Sequence, residues 1–564
     1  MDSMPSPLHP PRRTRRPTAV LCGVFAVIAL MVAACGGSAS ATTKTKHTLT
    51  AICAVSGSYT QNMSPFNPNV NCGVDGLLYE NLEYVNYVTG QETPMLATGH
   101  QFSPDNSTLT FTIRQGVKWS DGKAFSANDV AFTFNQLKTY PAADSGGLWT
   151  ALASVTAPDA NTVVMTFQTP TPTLLPTIEG TYIVPQHLWA NVGDPSKYTN
   201  TSPIGTGPML LNSFGAQLIS YKKNPNYWQA AKVAVDILNY PVVDSNTTAL
   251  LKMASHQADW TAIFDPAVQS AFVQKDSAHN FSAPIPVVPA QIVPNLKNPL
   301  LSQLAVRQAI SAALDRNAMS TSGEAGFEQA ASPTGLMPGQ EKYLDASFNG
   351  TLPSYGAADP AKADSILSAA GFTKGSDGIY ADAQGHKLAF KVTVPGDFSD
   401  YVADLQIAQQ NLQAAGIKLD LNKVSDDDWR SDRASHNFDL IMTGGFFGST
   451  PYYYLNPLLN SAFISGTGAT NWEQWNDPAT DQLLNQYATT SDSATQVQAI
   501  QGLTKIMATK LPVITVLDAV QFFEYSTANW TGWPTPTNLY AIGSSYQLAA
   551  GDNEQVILHL TPVS

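Results

Sequence analysis

Residues 19–34 carry no charged side chain, and they follow Arg12, Arg13, Arg15 and Arg16. An apolar run of this length is too short to cross a bilayer comfortably. It has the form of a secretory signal peptide, with a positive n-region and a short apolar core. This feature constrains the rest of the chain more than any other, because everything after it must fold outside the cytoplasm. Roughly 530 residues then remain, enough for two or three domains with sizeable cores. No later stretch is apolar and long enough for a transmembrane helix.

The run ends in Val32-Ala33-Ala34-Cys35, followed by Gly36-Gly37-Ser38. This resembles a bacterial lipobox, in which small residues admit the signal peptidase and the cysteine thiol receives a diacylglycerol. Cys35 is therefore the expected lipidation site, with residues 1–34 as signal peptide and residues 35–47 as a Gly/Ser/Thr-rich flexible tether. The expected location is the outer face of the cell membrane, in the periplasmic or cell-wall space.

Of the four cysteines, Cys22 leaves with the signal and Cys35 takes the lipid, so Cys53 and Cys72 are left as a disulfide pair. Closing a loop of about 20 residues stabilises a fold by roughly 3 kcal/mol in the chain-entropy account. The formal net charge is −13, and removing the leader makes the chain more acidic still. Nucleic-acid binding, which depends on Lys and Arg displacing counterions, is thereby disfavoured.

Strand and helix patterns alternate without an internal repeat, which predicts an α/β fold. Residues 109–113 (Leu-Thr-Phe-Thr-Ile) alternate apolar and polar side chains as a half-buried strand does. Ser126 and Asp129 have the spacing of a capping box at the start of a helix. Residues 161–167 read as a strand introduced by a turn at Pro158-Asp159. Residues 303–316 read as a helix closed by an Asp315–Arg316 ion pair. Helices over 360–370 and 403–415 are each stopped by a glycine, Gly371 and Gly416. Residues 438–442 form a short buried strand leading into Gly444-Gly445. The acidic run Asp426-Asp427-Asp428 follows Ser425 as an acidic first helical turn would, and this reading is preferred to a metal cluster.

Several ordered blocks carry a family resemblance. The strongest spans residues 103–134, where Arg114-Gln115-Gly116-Val117-Lys118-Trp119 precedes the Asp121-Gly122 turn and the Ala127-Asn128-Asp129-Val130 helix start. Others are Tyr79-Glu80-Asn81-Leu82, Pro94-Met95-Leu96-Ala97, Ile183-Val184-Pro185, Pro203-Ile204-Gly205-Thr206-Gly207-Pro208, Asn224-Pro225-Asn226-Tyr227-Trp228, and Val306-Arg307-Gln308-Ala309-Ile310 with Asp315-Arg316. In these the chain resembles the family 5 extracytoplasmic solute-binding proteins, the peptide/nickel class of ABC importer receptors.

The resemblance implies a two-lobed periplasmic-binding-protein-like fold with an inserted third domain and a hinge between the lobes. Lobe I would comprise 48–76, 206–289 and 520–564, the insert 77–205, and lobe II 290–519. It further implies a monomeric receptor that holds a small ligand between its lobes and delivers it to membrane permease subunits, with no cofactor. Peptide is the expected ligand class. In peptide-binding members an acidic residue after the second-lobe strand holds the ligand's amino group, yet residues 444–451 contain no Asp or Glu. Aromatic residues are dense there and near residue 530, in segments that look like the oligosaccharide-binding branch. The candidate ligand contacts are therefore Phe446, Phe447, Ser449, Tyr452, Tyr453, Trp475, Trp530 and Trp533. A neutral oligosaccharide is the close alternative, and a metal chelate or haem a more distant one.

An enzyme is disfavoured, because no G-x-S-x-G, H-E-x-x-H or C-x-x-C motif occurs. The nine histidines are scattered. His47, His100, His187 and His256 each read as structural or solvated, and no resident metal site is expected.

Overall fold

The computed structural model describes residues 47–53, 57–348, 355–465, 469–546 and 549–563. The residues read above as signal peptide and, up to residue 46, as tether, Cys35 among them, lie outside these residues. Residues 46–564 form one compact unit, built on three main sheets.

The four-stranded sheet follows from strict alternation. In Thr108–Ile113 the side chains of Leu109, Phe111 and Ile113 are buried and the threonines between them are not. This strand lies between Ala97–Phe102 and Thr162–Phe167, both antiparallel to it. Helix Ala127–Thr139 covers the buried face. Its start is the expected capping box, with Asp129 Oδ2 accepting from the Ser126 amide. The turn expected at Pro158-Asp159 falls slightly later, because both residues end the strand Leu152–Asp159. Asp159 Oδ1 accepts from the Asn161 amide and closes the turn there.

A seven-stranded sheet takes its strands from distant parts of the chain: Thr48–Ile52, Met209–Gly215, Leu218–Lys223, Ile237–Pro241, Trp260–Thr261, Asn280–Ser282 and Glu524–Ser526. Cys53 leaves the first of these and is joined by a disulfide to Cys72, with Cα atoms 6.3 Å apart. A six-stranded sheet contains Ile285–Pro294, Gln329–Ala330, Ala389–Pro395, Lys418–Val424, Leu440–Gly444 and Ile514–Gln521. The chain passes between these two sheets at 283–284 and again at 522–523. The two passages run side by side, since Ile285 pairs with Gln521 and the Ala283 amide donates to the Phe523 carbonyl at 2.8 Å.

In the six-stranded region the helix expected over 303–316 is shorter, Leu304–Ala313. Asp315 and Arg316 do not pair. Asp315 caps a new turn, its Oδ1 accepting from the Ala318 amide at 2.9 Å. Arg316 turns inward and donates to the carbonyls of Thr515 and Ser311. A buried guanidinium with several donors satisfied by carbonyls needs no carboxylate partner. Helix Ser399–Ala414 begins earlier than expected, while Gly371 (φ +86°) and Gly416 (φ +78°) close their helices in the left-handed region. Ser425 caps the helix Asp426–Ser435 by accepting from the Asp428 amide, which places the three aspartates in its first turn. Among the described residues, no helix is long and apolar enough to cross a membrane.

Candidate functional site

Strand Leu440–Gly444 pairs antiparallel with Ile285–Pro294, bringing Gly444 opposite Ala290. The next residue is a glycine for a steric reason. Its amide donates to the Pro289 carbonyl at 3.0 Å, and a Cβ on Gly445 would lie 2.8 Å from the Tyr454 ring. The chain then leaves the sheet and presents Phe446 and Phe447. Phe446 rests at 5.3 Å from the Trp472 ring. Phe447 is 41% exposed and faces Tyr87, which follows strand Glu83–Val85, at 6.3 Å.

Two adjoining crevices open here. They share Val287, Met337, Gln340, Phe447 and Gly448 as walls. Tyr87, Val88 and Ile542 close one from the opposite side, and Phe446, Thr450 and Tyr454 extend the other. The walls thus come from the segment after strand Glu83–Val85, from strand Ile285–Pro294, from residues 335–340 and 446–454, and from Ile542. They contain no Asp, Glu, Lys, Arg or His. Each crevice has a cavity volume of about 20 Å³, room for about one water, so an apolar or flat-faced group enters only where these walls part, with Gln340 as a two-way hydrogen-bonding side chain.

Helix Tyr452–Leu459 follows. Tyr453 reaches away from its own region and donates from Oη to the Thr173 carbonyl at 2.9 Å. Tyr454 Oη donates to Gln291 Oε1 at 2.9 Å. Tyr452 is buried against Tyr487, stacked at 4.3 Å. Ser449 is half-buried, and its carbonyl faces Gly90 of the insert.

The other expected contacts fall elsewhere. Trp475 packs into the core beneath helix Tyr452–Leu459 and donates to Thr480 Oγ1 at 3.0 Å. Trp530 and Trp533 are 1% and 4% exposed and belong to the core of the seven-stranded sheet. Trp533 Nε1 donates to the Ser526 and Trp530 carbonyls, and its ring lies 5.7 Å from Trp260. The structure brings Phe446 and Phe447 into the crevice walls and leaves Trp475, Trp530 and Trp533 out of them.

Tyr87, Met337, Gln340 and Ile542 had no motif to mark them. A charged group just behind the wall was also missed. Asp518 lies on Ile514–Gln521, opposite Pro289, and its Oδ1 has no hydrogen-bond partner. Burial pushes its carboxyl up to about 8, and the negative charge of Glu328 adds to the effect. Glu328 Oε1 accepts from the Val520 amide at 3.2 Å, and burial raises this carboxyl too. Among the described residues neither acid forms an ion pair with a Lys or Arg.

The sequence pattern of the bacterial extracellular solute-binding proteins, family 5, matches residues 91–466. The chain belongs to this family. It is 27% identical over 443 residues to Protein XP55 of Streptomyces lividans, covering 76% of each chain. It is 30% identical over 288 residues to a putative ABC transporter peptide-binding protein of Brucella ovis, covering 50% of this chain and 52% of that one. The periplasmic oligopeptide-binding protein of Thermotoga maritima superposes with a TM-score of 0.83 at 25% identity, over 92% of this chain and 99% of that one. A second structure of the same protein, with mannohexaose bound, gives a TM-score of 0.74 at 24% identity and the same coverage. The family members are extracytoplasmic substrate-binding proteins of ABC importers, not enzymes, and the present chain is one of them.

Proposed function

We propose that this protein captures a short peptide in the crevice walled by Phe446, Phe447, Tyr87 and Gln340, and presents it to the permease of an ABC importer. Asp518 carries the reading. A peptide brings an ammonium group, and a desolvated ammonium needs a counter-charge. Residues 444–451 offer none, whereas Asp518 stands one strand behind the crevice wall with an unpartnered oxygen. The peptide-binding relative from Brucella supports the same class. Ligand contacts made from both sides of the crevice favour a closed arrangement, which then reports occupancy to the permease.

Calorimetric titration with a peptide library tests this. N-acetylation of a bound peptide is expected to weaken it by about 1.5–3 kcal/mol, the worth of a hydrogen bond to a charged group, because Asp518 keeps its proton when no ammonium faces it. Asp518→Asn should weaken the free-amine peptide and leave the acetylated one nearly unchanged. Equal binding of both forms to the wild-type protein would sink the assignment.

A second reading, a neutral oligosaccharide, is favoured by the uncharged aromatic walls and by the mannohexaose bound to the Thermotoga relative. Flat rings pack on sugar C–H faces while Gln340 bonds hydroxyls. Tight sugar binding without peptide binding, in the same titration, would replace the first reading by this one.

Delivery from the membrane surface requires an anchor, and Cys35 supplies it in this reading. Cys35→Ala is expected to release the protein from the membrane fraction. Membrane retention of that variant with its signal still cleaved would refute the anchor.

A further inference from the structure

Away from the crevice, the insert gathers four side chains that the sequence keeps far apart. Glu83 lies on the strand Glu83–Val85 and Glu92 on Glu92–Pro94. The two strands pair antiparallel with Val85 opposite Glu92, so Glu83 and Glu92 share a face. His100 comes from Ala97–Phe102, and Glu179 ends the short helix Leu175–Glu179. One ligand-type atom from each of the four lies within 4.8 Å of all the others. His100 Nδ1 is 3.0 Å from Glu83 Oε2 and 3.4 Å from Glu179 Oε1.

The backbone beneath the group is fixed. The Leu82 amide and the Asn81 side-chain amide both donate to the Glu179 carbonyl, and Asn81 also donates to the Glu83 carbonyl. Glu83 is 3% exposed and Glu179 0%. Glu83 Oε1 and both oxygens of Glu179 have no hydrogen-bond partner. Among the described residues no Lys or Arg forms an ion pair with any of the three glutamates. His100, when protonated, offsets only one of three carboxylate charges, and buried carboxylates beyond that are costly unless something else supplies the charge.

We propose that Glu83, Glu92, His100 and Glu179 form a binding site for one divalent transition-metal ion, Zn²⁺ by preference. Three carboxylate oxygens and one imidazole nitrogen can make a four-coordinate set; its oxygens also suit Mn²⁺, but zinc stands above manganese in the divalent affinity order, and the imidazole disfavours Mg²⁺ and Ca²⁺, which prefer all-oxygen sets. Glu92 is exposed and can swing to close the last position. Binding deprotonates the ligands, with His100 coordinating through Nδ1 and keeping its proton on Nε2. The ion would tie helix Leu175–Glu179 to the hairpin of Glu83 and Glu92. These are the segments next to Thr173, whose carbonyl accepts from Tyr453, and next to Tyr87, which meets Phe447 across the crevice. The site is separate from ligand capture and does not depend on which ligand the crevice holds.

The test uses the purified chain stripped with EDTA and dialysed free of it. Titration with ZnCl₂ should give one ion per chain by calorimetry and native mass spectrometry, and Zn²⁺ should raise Tm. Glu92→Gln, at an exposed position, should leave the metal-free Tm unchanged and weaken Zn²⁺ on the order of tenfold or more. Glu179→Gln should fold, since it removes a buried charge, and should abolish the Tm response. Three results would overturn the proposal: no stoichiometric binding, unchanged affinity in both variants, or tighter binding of Ca²⁺ or Mg²⁺ than of Zn²⁺.

Discussion

Phe446 and Phe447 follow the end of strand Leu440–Gly444 in an aromatic-rich segment, and Trp530 and Trp533 follow strand Glu524–Ser526 in another, yet the two pairs have opposite fates. The phenylalanines wall the crevice, and the tryptophans fill the core of the seven-stranded sheet. The glycines next to them account for the difference. Gly445 is pressed against Tyr454 and directs the chain off the sheet toward the insert. Gly532, at φ +94°, lies so close to the carbonyl of His559 that its segment is clamped on the C-terminal helix Asp552–His559, with both indoles turned inward. Aromatic density alone therefore does not distinguish a ligand surface from a core. The path of the backbone beside it does.

The largest expected effect breaks the comparison on the core side. Trp530→Ala should cost about 3–5 kcal/mol of stability, as truncation of a fully buried ring does. The folded fraction should bind ligand with wild-type affinity. Urea unfolding alongside titration measures both. A near-neutral change in stability with loss of binding would move Trp530 into the site.

Phe447→Ala is the converse and smaller. At 41% exposure its truncation should change stability by less than about 1 kcal/mol, while ligand affinity falls by about 1–3 kcal/mol. Stability loss as large as that of Trp530→Ala, with affinity intact, would make Phe447 a packing residue. The pair of variants gives a crossed pattern that neither gives alone.

Local signals in the sequence were enough for the parts of the fold they govern. The alternation at 109–113, the Ser126/Asp129 capping box and the stops at Gly371 and Gly416 are each decided within a few residues. Long-range contacts decide the rest. The helix from residue 304 ends early because Arg316 finds the Thr515 carbonyl, nearly two hundred residues later in the chain. Of the crevice walls, only Phe446 and Phe447 in the aromatic run after Gly445 stand among the ligand contacts expected from the sequence. Tyr87, Met337, Gln340 and Ile542 do not, because each comes from a different segment and is ordinary in its own surroundings. Asp518 sits in a mostly apolar strand, and only burial beside Glu328 makes its charge unusual.

That last acid gives an effect that grows with pH and bears on both sides of the crevice wall. The Asp518 carboxyl moves from an ordinary value of 3.8 to about 8 on folding, chiefly through burial. Glu328, Asp404 and Glu324 are raised in the same direction, again chiefly by burial, with neighbouring negative charges adding. A raised folded pKa means that the native state holds protons the unfolded chain has released. The stabilising contribution is complete below the unfolded pKa and is lost as pH rises through the folded one. Ligand-free protein should therefore lose stability between about pH 5 and about pH 8, by at most about 1.4 kcal/mol per pH unit for each group in that window. Asp518→Asn should flatten the slope, because the amide has no proton to lose. Phe447→Ala should leave the slope unchanged, since it alters the crevice wall and not the charge behind it. A bound free-amine peptide should also flatten the slope, because its ammonium favours the ionised carboxylate, whereas a neutral sugar should not. Urea unfolding across this range, with and without ligand, reads all of these. Stability that stays level or rises toward pH 8 in the ligand-free protein would mean that Asp518 is already ionised and compensated, and the counter-charge assigned to it would have to come from elsewhere.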